Sequence, residues 1–452
     1  MWYRLSRRLT AVLLLLILAV LPLRGQQSSE EVTPGEAGGR TQEKPLPSSR
    51  TERLRQLREE RRGEIKPPPA DNAIQKYLKN FDQKGNQSVE DANFWGFYPR
   101  VDWIARGSGV APGARYWNPD VAGPIDIMGS GFYSWRHYQL YDFQVGLIPT
   151  RGKKIPPRKF ETESIEELGD FRQEEFSRFK LYGSVRWRDR TDDPFYGSGP
   201  DSLKANRARY RIKDSLAELV TGFQFTRRVG YTFRAGFLGN VLASPRSSPP
   251  VSEVFPPEEL PGLAAPPNYF TVRNSFLLDF RDHPGIPHRG AFVSFAWEKF
   301  DNTTGTNLFN FNRFGADLRG YIPIRTRQQV IALRGFFVNS DPGPGNQVPF
   351  FLQPSLGGGE SLRGYDTYRF QGDKLMLLQA EYRWEASRMF ELALFGDTGT
   401  VASQGHRLSL DKLKSDLGFG FRVKSTEAVL FRLDIARGNE GTKLQFRFSQ
   451  AF

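Results

Sequence analysis

The chain has 452 residues, 63 of them Lys or Arg and 50 Asp or Glu, for a formal net charge of +13. The basic excess is scattered, with no lysine-rich run and no helical recognition unit, so nucleic acid is not an expected partner. There is no cysteine, which excludes a disulfide framework and a lipid-bearing N-terminal Cys.

Arg4, Arg7 and Arg8 precede an unbroken apolar run from Ala11 to Leu21, followed by Pro22 and Gly25. A positive, then apolar, then small-residue order is that of a secretory signal. The run is shorter than the ~20 apolar residues of a spanning helix. Residues 1–25 are therefore expected to be a cleaved signal peptide. Residues 26–92 are rich in Glu, Arg, Gln, Pro and Ser. Within them Thr51 to Lys66 reads as a polar helix ended by Pro67–Pro69. Ile74, Tyr77, Leu78 and Phe81 then share one face of a short amphipathic helix. This stretch is expected to be a mostly disordered periplasmic linker with short helices. An exported chain with no later apolar helix is either soluble or a barrel. With 44 Gly and 13% aromatic residues, it suits a barrel, which needs lipid-facing rings and small residues where strands bend.

Residues 93–452 form the expected barrel domain, and from Phe94 onward the pattern has period two. Leu417, Phe419, Phe421 and Val423 alternate with Gly418, Gly420, Arg422 and Lys424. Val429, Phe431, Leu433 and Ile435 alternate with Leu430, Arg432 and Asp434, and Leu444, Phe446, Phe448 and Phe452 share one parity at the end. A strand sends successive side chains to opposite faces. Charge at nearly every second position in strand after strand suits a barrel in lipid with a wet interior better than a soluble sandwich. Sixteen candidate strands can be placed. The predicted fold class is all-β, a 16-stranded antiparallel transmembrane β-barrel in the outer membrane of a Gram-negative-type bacterium. Short connections alternate with longer ones, except at 149–173, which is long and charged where a turn is expected.

The four histidines, His137, His283, His288 and His406, have no zinc-type spacing, and His283 and His288 fall in a turn where exposure is expected. No Gly-x-Ser-x-Gly, P-loop or dinucleotide fingerprint stands in the right context. Neither metal, cofactor nor enzymatic activity is expected.

Between the eleventh and twelfth candidate strands runs Gly357-Gly358-Gly359-Glu360-Ser361-Leu362-Arg363-Gly364-Tyr365. It resembles the sixth outer loop of the BamA/TamA family, also called bacterial surface antigens. Phe395-Gly396-Asp397-Thr398-Gly399 is similar to that family's thirteenth strand. Asp279-Phe280-Arg281-Asp282 with Pro284, Pro287 and Gly290 is similar to its turn between strands eight and nine. Phe195 to Ser202 is similar to its third outer loop. The motifs occur in the family's order and cover roughly residues 94–452.

The resemblance implies that Arg363, within Leu362-Arg363-Gly364-Tyr365, folds into the lumen and meets acids on strands twelve and thirteen. Alternation alone turns Glu381 and Asp397 inward. Arginine's planar fork suits carboxylates, Gly364 permits a close backbone turn, and Tyr365 can wedge against the inner wall. Two roles fit: a staple that holds the loop, or a functional switch. The terminal Phe452 resembles the residue that the insertion machinery reads.

The family usually carries periplasmic modules of about 75 residues. Residues 26–92 are fewer and lack strand alternation, so the chain resembles a barrel-only member. The implied function is to help proteins or lipids into or across the outer membrane through a weak seam between strands 1 and 16. Pro99 interrupts the first of these, and Gly96 and Gly107 add little packing. Alternatively Pro99 precedes the strand and the seam zips fully, and the chain is a passive pore or structural barrel. Expected partners are outer-membrane lipids, client outer-membrane proteins and a periplasmic protein.

Overall fold

A computed structural model describes residues 96–148, 179–226, 228–283, 285–305, 307–325, 328–424, 429–447 and 452. The expected signal peptide, the linker over 26–92, the connection 149–173 and Phe448 lie outside the described residues.

Sixteen strands follow one another in a single antiparallel meander. They are β1 (Gly96–Trp103), β2 (Val110–Ala122), β3 (Ile125–Tyr133), β4 (Gln139–Leu147), β5 (Phe179–Phe195), β6 (Ala208–Thr226), β7 (Val229–Ala243) and β8 (Tyr269–Asp279). The second half is β9 (Gly290–Asn302), β10 (Phe311–Pro323), β11 (Gln329–Asp341), β14 (Lys374–Glu385), β15 (Phe390–Ala402), β16 (Lys414–Lys424), β17 (Val429–Gly438) and β18 (Gly441–Arg447). Between β11 and β14 a two-residue ladder, β12 (Ser355–Leu356) with β13 (Phe370–Gln371), stands apart from the main sheet. The sheet curls into the outer-membrane barrel that the period-two pattern predicts. Each strand between the two ends satisfies its backbone groups against both neighbours, which is what lets a sheet cross lipid. Outward positions carry exposed apolar residues such as Phe143, Val185, Leu219, Phe295, Leu394 and Leu444, the lipid-facing belt of such a barrel.

Inward positions are charged and buried. Arg186, Arg188 and Arg190 on β5, Asp317 on β10, Glu381 and Arg383 on β14, and Arg422 on β16 are each at most 7% exposed. The connections at one rim are long and pack on each other. Phe195, Val251, Phe255, Leu260, Phe350 and Phe351 form an apolar cluster there with Tyr210. Phe350 meets Phe195 edge-on, ring centroids 5.2 Å apart. The other rim has short turns, for example at 386–389 and 324–328.

The backbone ladder runs from β1 to β18, and among the described residues no pairing joins these two end strands. Two sequence expectations change. First, Phe452 does not keep the lipid-facing parity of the last strand but is buried, 5% exposed, with Tyr321, Val330 and Ala332. Second, Lys424 pairs with Val429 while Val423 pairs with Phe431, an irregularity that skips Leu430. This re-aims the start of β17, as bulges do, and Val429 is buried rather than lipid-facing.

Candidate functional site

The long connection 342–373 folds back into the barrel rather than away from it. Leu362, Arg363 and Tyr365 are all at most 1% exposed. Leu362 and Tyr365 pack with Leu356, Phe370, Leu375, Leu377 and Val401 in one apolar cluster inside the lumen. Gly357 and Gly358 hold φ of +114° and +97°, a backbone state that side chains disfavour. They turn the chain so that the following residues face β14–β17.

The guanidinium of Arg363 docks on that wall. Its Nε and Nη2 donate to the two oxygens of Asp397, each at 2.7 Å, and its Nη1 donates to Glu381 Oε1 at 2.5 Å. Asp434 Oδ2 lies 3.5 Å from Nη1. The flat of the group lies 3.3 Å from the Phe395 ring centroid, a cation–π placement. Burial by itself would lower the Arg363 pKa. The Asp397 and Glu381 carboxylates outweigh this and raise it above its ordinary value, so the charge is fixed.

The strand register explains why these groups meet. Gln379, Asp397 and Asp416 are mutual partners across β14, β15 and β16. Gln379 Nε2 bridges Asp397 Oδ1 at 3.0 Å and the Ser361 carbonyl at 2.9 Å. Asp416 Oδ2 accepts from the Gly364 amide at 2.9 Å. Glu381 also accepts from Arg383 Nε at 2.8 Å and Arg422 Nη2 at 2.9 Å, and Arg422 Nη1 reaches Glu391 at 2.7 Å.

Gly364 is required for a close approach rather than for an unusual turn. A β-carbon there would lie 2.6 Å from Asp416 Cβ and 2.7 Å from the Gly438 nitrogen. Gly438 in turn makes room for Tyr365, whose ring would be 2.8 Å from a β-carbon at that position. The Tyr365 hydroxyl donates to the Ser415 carbonyl at 3.2 Å.

The same loop holds the last hairpin. Lys443 Nζ meets Asp366 at 2.5 Å, Gln445 Nε2 donates to the Arg363 carbonyl at 3.3 Å, and Arg447 lies 3.4 Å from Glu360. At the turn before β18, Arg369 pairs with Glu440 at 2.7 Å and donates to the Ser202 carbonyl. Across the seam the Arg447 guanidinium sits 5.6 Å from the Trp103 ring.

Pro99 lies within β1, opposite Ala114 of β2, so it does not precede the strand. Phe446 on β18 is exposed, while Phe452 sits inside the barrel near the short-turn rim. Its carbonyl accepts from Arg383 Nη2 at 3.2 Å, and the Arg383 guanidinium lies 5.1 Å from its ring. His283 and His288 are half-buried, not exposed, and His288 Nε2 lies 2.7 Å from Glu385.

Sequence reasoning did not place Arg422, Arg383, Asp434, Asp416 or Gln379 at the site, and read Phe395 only as part of a motif. Their inward parity was visible. Which of them stand level with the loop arginine depends on the stagger between strands.

Residues 170–452 match the Omp85 superfamily domain. No curated protein matches the sequence. Among solved structures, BamA from Haemophilus ducreyi lacking POTRA domains 1–3 is similar at 16% identity, with a TM-score of 0.54 over 77% of this chain and 68% of that one. CdiB from Escherichia coli is matched at 11% identity and TM-score 0.46, over 78% of this chain and 61% of that one. CdiB from Acinetobacter baumannii gives 13% and 0.43, over 78% and 59%. With the family model covering more than half of its length, the chain belongs to the Omp85 superfamily.

Proposed function

We propose that this barrel helps proteins into or across the outer membrane, and that the joint between β1 and β18 is where it works. One observation carries the reading: no ladder joins these two strands among the described residues, while the Arg363 loop grips β18 from inside the lumen. An unpaired strand edge is a template for another strand. Pro99 has no N–H to give to a ladder, and the described pairing of β17 with β18 begins only at Arg432. The loop then acts as a splint. It keeps β18 in place on the β14–β17 side whether or not the seam is open, so opening need not unravel the hairpin.

The occupants of the seam in this reading are client outer-membrane proteins, with membrane lipid beside them and a periplasmic protein that delivers the client. The barrel itself does no covalent chemistry. The passive-pore reading is less supported, because the apolar cluster of long connections packs at one rim and the loop occupies part of the lumen.

A crosslink tests the proposal. The chain has no native cysteine, so Trp103→Cys and Arg447→Cys can be joined across the seam by a bis-maleimide whose spacer contains a cleavable disulfide. Reconstituted in vesicles, the crosslinked double variant is expected to stop accelerating the insertion of a second barrel, and reduction of the spacer is expected to restore it. Unchanged insertion by the crosslinked protein would refute the seam. Conductance that the crosslink leaves intact, with no insertion activity to lose, would favour a pore.

A further inference from the structure

The short-turn rim repeats one arrangement of side chains from turn to turn. At four of its turns the last outward residue is apolar and exposed: Phe225 on β6, Phe280 just after β8, Ile324 just after β10, and Trp384 on β14. Each keeps the parity of the lipid-facing residues before it, as Phe280 follows Phe276 and Leu278. An exposed arginine stands in each of the same turns: Arg228, Arg289, Arg325 and Arg388. None of the four forms an ion pair among the described residues. The Arg228 guanidinium lies 5.3 Å from the Phe280 ring. It thus joins two neighbouring turns and is held at the level of a lipid-facing side chain. The described carboxylates of these turns have partners of their own. Asp279 pairs with Arg281 at 2.7 Å. Glu385 lies 2.7 Å from His288 Nε2 and pairs with Lys424. Asp282 Oδ1 accepts from the backbone amides of His283, His288 and Arg289.

An arginine beside an outward apolar residue at a strand end stands where hydrocarbon gives way to headgroups. Aromatic side chains settle at that boundary. The stem of an arginine lies along apolar surface while its guanidinium reaches the polar layer. There the planar fork matches the oxygens of a phosphate group. We propose that this arc of the rim, from the β6–β7 turn to the β14–β15 turn, is a binding surface for anionic phospholipid headgroups of the adjoining leaflet. Position favours lipid over a soluble acidic protein, because the apolar side chains beside these arginines face the bilayer and a soluble partner would have to displace headgroups to reach them. Attraction of this kind falls off within a Debye length, ~10 Å at 0.1 M salt. It therefore acts on the lipids that touch the turns rather than on the whole membrane. The inference needs only that the barrel spans a membrane, and it is independent of the insertion reading.

The test uses the full chain reconstituted in phosphatidylcholine vesicles that carry a trace of spin-labelled phosphatidylglycerol or spin-labelled phosphatidylcholine. The motionally restricted fraction of each label in the spin-resonance spectrum gives their relative affinity for the barrel surface. Phosphatidylglycerol is expected to be favoured at least about twofold at low salt. The preference is expected to be lost in R228Q/R325Q/R388Q, with the folded state of the variant checked by its heat-dependent gel shift. R207Q/R246Q/R407Q removes exposed arginines from the long connections of the other rim and is expected to keep it. Full preference in the first variant would overturn the proposal, and equal loss in both would overturn the location. If the first variant does not fold, the wild type decides: its preference must fall as salt is raised, and a preference indifferent to salt would overturn the proposal. Glycerol phosphate added at constant ionic strength is expected to change nothing, and competition by it would overturn the lipid source. No preference in the wild type, with salt-sensitive binding of polyglutamate instead, would assign the arc to an acidic protein and overturn the proposal; no preference without such binding would overturn it as well.

Discussion

The two inner walls of the barrel use the same residue types to opposite ends. On the β14–β17 side, with the loop docked, Arg363, Arg383, Arg422 and Arg432 face Glu381, Glu391, Asp397, Asp416 and Asp434. On the β5–β10 side, Arg186, Arg188 and Arg190 share Asp214 and a cavity of about 140 Å³ remains beside them. The first wall holds the loop and the last strand through side chains packed against each other, and the second leaves space in the lumen.

The sharpest way to break the comparison is to unbalance the matched wall. Arg363→Ala leaves Asp397 and Glu381 buried without their fork, and losing one partner of a buried pair costs about 3–5 kcal/mol. Urea unfolding and the heat-dependent gel shift are expected to move strongly towards the unfolded form. Arg363→Lys is expected to recover only part, because an ammonium lacks the planar fork. An unchanged midpoint for Arg363→Ala would mean that the loop is held by its apolar cluster alone.

Phe452→Ala tests whether the chain end belongs to the interior. Truncating a buried Phe costs about 3 kcal/mol at the lower end of the usual range. If Phe452 instead lay in lipid, the unfolding midpoint would hardly move. Gly364→Ala comes next: the added carbon meets Asp416 and the β17 backbone, and overpacking of this kind costs about 1–3 kcal/mol. Wild-type stability in this variant would show that the loop can sit further from the wall.

Asp373, at the base of the inner loop, gives a pH test on the cavity side. Burial raises its carboxyl to about 6, against the pull of Gln353 and Arg313. The folded state thus favours the protonated acid more than the unfolded chain does. Its stabilising effect is complete below the ordinary carboxyl range of about 4 and is lost as pH rises through 6. Asp373→Asn is expected to remove this part of the stability slope between about pH 4 and 6, measured as unfolding midpoints across that window. The smallest effect is at the surface. The pair Lys412–Asp201 at 2.5 Å is half-exposed, and Lys412→Ala is expected to change stability by less than about 1 kcal/mol.

Much of this molecule is legible in one dimension. Strand number follows from period-two runs such as Leu417–Lys424, because one lipid-facing and one lumen-facing side leave no other pattern. The inward placement of Glu381 and Asp397 follows from the same alternation. The level at which they stand does not, because it depends on the register that sets Gln379, Asp397 and Asp416 side by side. Arg422 and Phe395 were therefore invisible as neighbours of Arg363, although their parity was not. Phe452 misled for a related reason: parity assumes an unbroken strand up to the residue read, and Phe452 is instead buried with Tyr321, Val330 and Ala332.

The sequence by itself determined the barrel, its strand number and which side chains face lipid, since these follow from local alternation and composition. Tertiary structure alone decided which charges meet, that Phe452 turns inward, and that the loop packs on one wall while a cavity remains beside the other. Each of these depends on stagger between strands and on where a loop docks. Both are set by contacts between residues far apart in the chain, and no periodicity records them.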